Sequence, residues 1–176
     1  MYDFSANKIC EYIKRNPNSK VLEIGPASAV YPDYSYGEDC SSSIIQRVCK
    51  DIGVIYKTMD ISRESDCDYI CSIEDVSSVN EKFDVIIMLG VIEHVPKIHL
   101  ISEQLCNITN QEAVVFINTP FMFKVHGPEP DCWRISEYGM KALFGEMFDL
   151  SIETFPPEER GKNSLPLSIN TTMVKK

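Results

Sequence analysis

The stretch Phe83-Asp-Val-Ile-Ile-Met-Leu89 constrains this chain more than any other. It is apolar at nearly every position and shows no alternation, which suits a strand buried on both faces. Such a strand belongs inside a parallel sheet covered by helices, and the rest of the chain supplies both kinds of element. Further strands are expected at 21–24, 54–59, near 69–73 and at 113–117. Helical spacing puts Ile9, Cys10 and Ile13 on one face over 5–14, with Ser5 as the N-cap residue. After Ser41 and Ser42, which can cap a helix, Ile44, Ile45, Val48, Cys49 and Ile52 share a face; Ile98, Ile101, Leu105 and Ile108 do so over 97–108. A last helix opens at Ser136 and carries Tyr138, Met140, Leu143, Phe144 and Met147. Two strands at 148–155 and 167–174, separated by a proline-bounded loop, read as an antiparallel pair at one edge. The expected fold class is α/β: a Rossmann-like open, mostly parallel sheet with helices on both faces and a C-terminal antiparallel hairpin.

The chain has 176 residues and shows no internal repeat or linker, so one domain over 1–176 is expected. Its net charge of −9, with no cluster of Lys and Arg beyond Lys175 and Lys176, argues against nucleic acid as a partner. No apolar run reaches the ~20 residues of a membrane span, and no secretory signal pattern opens the sequence. Seven scattered cysteines without a C-x-x-C read as free thiols in a reducing cytoplasm. His94 with His99 has poor spacing for zinc, so no metal is expected.

In an open parallel sheet, ligands collect at the carboxyl ends of the strands, near the point where strand order reverses. Gly25, after Glu23, offers a tight turn and close backbone approach; Asp60 can accept hydrogen bonds from ribose hydroxyls; Ser72 and Ile73 can bracket an adenine. With these residues the chain resembles the class I S-adenosylmethionine-dependent methyltransferases. Val21-Leu-Glu-Ile-Gly-Pro26 resembles the first motif of that family, Asp60 the acidic second, and Phe83-Asp-Val-Ile-Ile-Met-Leu-Gly-Val-Ile-Glu-His-Val95 the fourth-strand motif. The order of elements matches along almost the whole chain. His126-Gly-Pro-Glu-Pro-Asp-Cys-Trp-Arg134 looks like an H-G-x-P-x-D-x-W-R element of small methyltransferases associated with glycan and natural-product pathways. Departures from the family pattern are Ala27 and Ala29 in the glycine loop, Ser72 where relatives carry an acid, and a long 31–40 loop.

The resemblance implies S-adenosylmethionine as cofactor and a small-molecule acceptor, a hydroxyl of a sugar or sugar-linked compound being preferred. It places Glu23, Gly25, Pro26, Ala27, Asp60, Ile61, Ser72, Ile73, Leu89, Gly90, Glu93 and His94 around the cofactor. His126 is the expected general base, since it follows the fifth strand and histidine is the side chain that most often fills this role. Asp131 would orient it or bind an acceptor hydroxyl, Arg134 would hold an anionic acceptor group, and Tyr31 and Trp133 would supply walls. Opposed to this stands a plainer reading of 126–134: a proline-stiffened loop whose Arg pairs with a nearby acid. A chain this short leaves acceptor recognition to short loops, a second copy or a partner enzyme. The competing function is a non-catalytic binding or scaffold domain with the same fold; a nicotinamide enzyme fits the Glu-x-Gly turn and terminal hairpin less well.

Overall fold

Alternation within the central strands decides how the layers form. In the computed structural model, which describes residues 3–26, 40–155 and 166–176, β4 (Phe83–Leu89) pairs in parallel with β1 (Lys20–Ile24) and β5 (Thr109–Pro120). Val85 and Ile87 point to one face, where they join Val21, Val114 and Phe116 under α1 (Asp3–Arg15) and α2 (Ser41–Ile52). Ile86 and Met88 point to the other, with Leu22, Ile24, Val115 and Ile117 under α3 (Ile101–Ile108) and α4 (Glu137–Phe144). All four β4 side chains are fully buried. Each such residue contributes roughly 1.5–3 kcal/mol. The polar interruption, Asp84, accepts from Lys20 N (2.8 Å) and Asn110 Nδ2 (2.7 Å), so it ties β4 to the strands beside it.

The remaining strands are β2 (Ile55–Asp60), β3 (Tyr69–Ile70), β6 (Phe148–Phe155) and β7 (Ser168–Lys175). The sheet order is β3-β2-β1-β4-β5-β7-β6, with β7 antiparallel to both β5 and β6 and the other pairs parallel. The expected fold class therefore holds, including the antiparallel hairpin at the edge. Strand order reverses between β1 and β4, and this fixes where a ligand crevice opens.

Differences from the expected elements have local causes. The N-cap of α2 is Cys40, whose Sγ accepts from Ser43 N, while Ser41 and Ser42 lie in the first turn. The helix expected over 97–108 begins as a tight turn at Ile98–Leu100 before α3. β5 starts four residues earlier than expected because a register shift opposite Phe83 to Val85, with Glu112 at φ 60°, lets the strand resume after a bulge. β3 stops at Ile70, since Ser72 turns the chain by accepting from Glu74 N and Asp75 N. Ala27, Ala29, Tyr31 and the rest of the 31–39 loop lie outside the described residues, as do 156–165 and the side chain of Ser5.

Candidate functional site

At the reversal point β1 and β4 both end on glycine in the left-handed region, Gly25 at φ 68° and Gly90 at φ 71°. Gly25 N donates to Met59 O (2.8 Å) and Gly90 N to Asn118 O (2.9 Å), so each turn is pinned to the neighbouring strand. A Cβ on Gly25 would stand 2.6 Å from Val91 Cγ2, so only glycine lets these two strand ends close together. Beyond them lies a cavity of about 450 Å³, within the roughly 300–1,000 Å³ of small-molecule pockets.

Most of the expected cofactor residues meet there. Gly25 and Pro26 line the cavity from β1, Asp60 and Ile61 from β2, Ser72 and Ile73 after β3, and Leu89, Gly90 and His94 from β4. Asp60 Oδ1 accepts from Ser62 N (2.7 Å), and its second oxygen has no partner among the described residues. His126 closes the wall with Gly127 to Pro130, which belong to the 126–134 motif but were not among the expected site residues. Ser62, Cys71, Glu74, Val91, Val95 and Pro96 also line it; as neighbours of expected residues they carry no signature of their own.

Glu23 and Glu93 are not on the cavity wall. Glu23 is 1% exposed and accepts from Ser42 Oγ and Tyr56 Oη on the α2 face, away from the cavity where it is expected. Burial raises its carboxyl above the usual range, and the two hydroxyls offset this only in part. Its titratable neighbours stay neutral: burial pushes Cys49 up to about 12 and raises Cys10 and Tyr56 as well. A carboxyl raised on folding stabilises most below its unfolded value and loses that advantage as pH rises through the folded one. Urea unfolding should therefore show the wild type losing more stability than Glu23→Gln as pH rises above the ordinary glutamate value of about 4.3. Equal slopes would show that Glu23 ionises freely.

The 126–134 segment holds itself together. Asp131 Oδ2 accepts from His126 N (2.8 Å) and Nδ1 (3.0 Å), and both carboxylate oxygens take the Arg134 guanidinium (2.5 and 2.7 Å). The Arg134 guanidinium holds the Asp131 carboxyl well below the usual carboxylate range. Arg134 also donates to the carbonyls of Phe123 (3.2 Å), Lys124 (2.8 Å) and Trp133 (2.8 Å), so every guanidinium N–H is used within the chain. Trp133 Nε1 donates to Val95 O (2.9 Å). Asp131, Trp133 and Arg134 thus brace the loop and are not among the residues that line the cavity. His126, in contrast, reaches the cavity.

Behind it, Glu93 is 1% exposed, with Oε1 at 3.9 Å from His126 Nε2 and 3.8 Å from His94 Nε2. Burial, reinforced by the Asp131 carboxylate, pushes Glu93 up to about 7; burial also lowers His94. This convergence was invisible in the sequence, because Glu93 and His94 follow β4 while His126 follows β5.

Comparison with solved structures bears on the fold. A SAM-dependent methyltransferase from Archaeoglobus fulgidus superposes with a TM-score of 0.64 at 13% identity, over 97% of this chain and 94% of that one. This is the fold of the class I S-adenosylmethionine-dependent methyltransferases. The N-methyltransferase NodS from Bradyrhizobium japonicum WM9 shares that methyltransferase fold with a TM-score of 0.65 at 10% identity, over 99% of both chains. The plantazolicin methyltransferase BpumL, solved with S-adenosylhomocysteine (SAH), gives 0.61 at 14% identity over 98% and 82%. No protein-family model matches the sequence, and no curated protein matches it.

Proposed function

We propose that this chain is a single-domain enzyme that transfers a methyl group from S-adenosylmethionine to a small-molecule hydroxyl, on a sugar or sugar-linked acceptor. The observation that carries this reading is the convergence of two left-handed glycine turns and the half-engaged Asp60 carboxylate on one cavity at the reversal point. The cradle fits the cofactor: Gly25 leaves the close approach open, Asp60 offers its second oxygen to a ribose hydroxyl, and Ser72 and Ile73 stand where an adenine would rest. The sugar preference is supported by the resemblance of 126–134 to its glycan-associated counterparts.

When bound, the cofactor supplies an activated methyl on a sulfonium, so the chain needs no covalent nucleophile. Its residues have to align the acceptor, exclude water and take a proton. Alignment alone is worth up to ~7–11 kcal/mol of barrier. Pro128 and Pro130 line one side of the cavity and would shield a bound acceptor from water there. His126, held at Nδ1 by Asp131, keeps Nε2 as the basic atom at the cavity and takes the acceptor proton there. His126→Ala is expected to cut turnover by about 100-fold and to leave SAH affinity unchanged, read with methyl-labelled cofactor against a panel of sugar acceptors. Unchanged turnover would move the proton to another group.

A further inference from the structure

Glu93, His94 and His126 bring one carboxylate oxygen and two ring nitrogens close together beside the cavity. Glu93 Oε1 is buried and has no hydrogen-bond partner among the described residues. The far side of each ring sets its tautomer. His94 Nδ1 lies 3.0 Å from the Pro130 carbonyl, which can only accept, and His126 Nδ1 lies 3.0 Å from the Asp131 carboxylate. Each ring therefore donates from Nδ1, and in its neutral form carries a lone pair at Nε2. A carboxylate oxygen and two imidazole nitrogens, all within 4.8 Å of one another, surround a gap that a bound cation would satisfy.

We propose that Glu93, His94 and His126 bind one divalent first-row transition cation of the Zn2+ type, with an open coordination position toward the cavity. Metal bonds of about 2.0–2.2 Å put tetrahedral ligands roughly 3.3–3.6 Å apart, so the two carboxylate-to-imidazole separations close by a few tenths of an ångström. Two imidazoles and one carboxylate suit Zn2+ and its neighbours, whereas Mg2+ and Ca2+ prefer oxygen ligands. The Asp131–His126 hydrogen bond is the carboxylate–histidine arrangement that orients a metal ligand, and Arg134 fixes that carboxylate in turn.

Both histidines line the cavity, so the fourth position faces whatever binds there. An acceptor oxygen at that position rests on the methyl-transfer reading; the metal site does not. With the cation in place His126 is a ligand, and its base role belongs to the metal-free protein.

A proton is the competing occupant, and titration of the chelator-stripped full chain with Co2+, then Zn2+, separates the two. Absorption and calorimetry should show one equivalent of Co2+ in a nitrogen and oxygen field, without thiolate charge transfer, displaced by Zn2+. His94→Ala and Glu93→Gln should each weaken binding at least tenfold, while Cys132→Ser binds as the wild type does. Glu93 is buried and its variant can misfold; His94→Ala, nearer the surface and checked by circular dichroism, then decides. No stoichiometric binding to the wild type overturns the site, as does binding unaffected by His94→Ala or lost in Cys132→Ser. SAH titrated into the same samples keeps the two readings apart: absent cofactor binding with the metal bound counts against methyl transfer alone.

Discussion

Asp60→Ala is expected to weaken SAH binding by about 10- to 100-fold, the largest effect on ligand affinity that one side chain in this cavity should have. The magnitude follows from chemistry. Hydrogen bonds to a charged group are worth about 1.5–3 kcal/mol, and about 1.4 kcal/mol is a factor of ten in affinity. The carboxylate already serves the chain once, through Ser62 N, so its removal also loosens the turn after β2. Asp60→Asn separates these contributions, since the amide oxygen can still accept from Ser62 N but carries no charge. Calorimetry should rank the affinities wild type, then Asn, then Ala. Equal affinity in all three would place the ribose elsewhere.

Asp131→Asn should have the largest effect on stability among the site residues, a loss of about 3 kcal/mol at neutral pH. The Asp131 side chain is 1% exposed and accepts four hydrogen bonds, two from Arg134 and two from His126. An amide in its place leaves the guanidinium without its counter-charge and turns an N–H toward donors. For a chain of this size the melting temperature should fall by roughly 6–12 °C. The sign with pH follows from the depressed carboxyl: the stabilisation is present above the unfolded value and is lost as pH falls through the folded one. Wild type and variant should therefore converge in acid. Chemical denaturation at neutral pH checks the magnitude; a loss below about 1 kcal/mol would mean that the loop does not depend on this pair.

What could be read from the sequence was whatever is local along the chain. The 83–89 run announced β4 because a strand buried on both faces needs apolar residues on both. The ends of β1 and β2 followed from it, so Gly25 and Asp60 could be named as cavity residues by position alone. Residue type failed where the same side chain serves opposite uses. Glu23 next to the glycine turn could face cofactor or core, and strand alternation with Ser42 and Tyr56 sends it to the core. Arg134 could hold an anionic acceptor or an aspartate three residues away, and the nearby carboxylate and carbonyls take all its donors. The Glu93, His94 and His126 cluster lay beyond reach because it forms only when the ends of β4 and β5 come side by side.

If the cavity between the β1 and β4 glycine turns is a cofactor site of the methyltransferase kind, as proposed, SAH must fill it. Calorimetric titration of the chain with SAH tests it most directly. Saturable one-to-one binding at micromolar ligand is expected, with a rise in melting temperature with ligand concentration and a marked weakening in Asp60→Ala. An absence of heat and of any thermal shift up to millimolar SAH would contradict it and leave the fold as a scaffold without this chemistry.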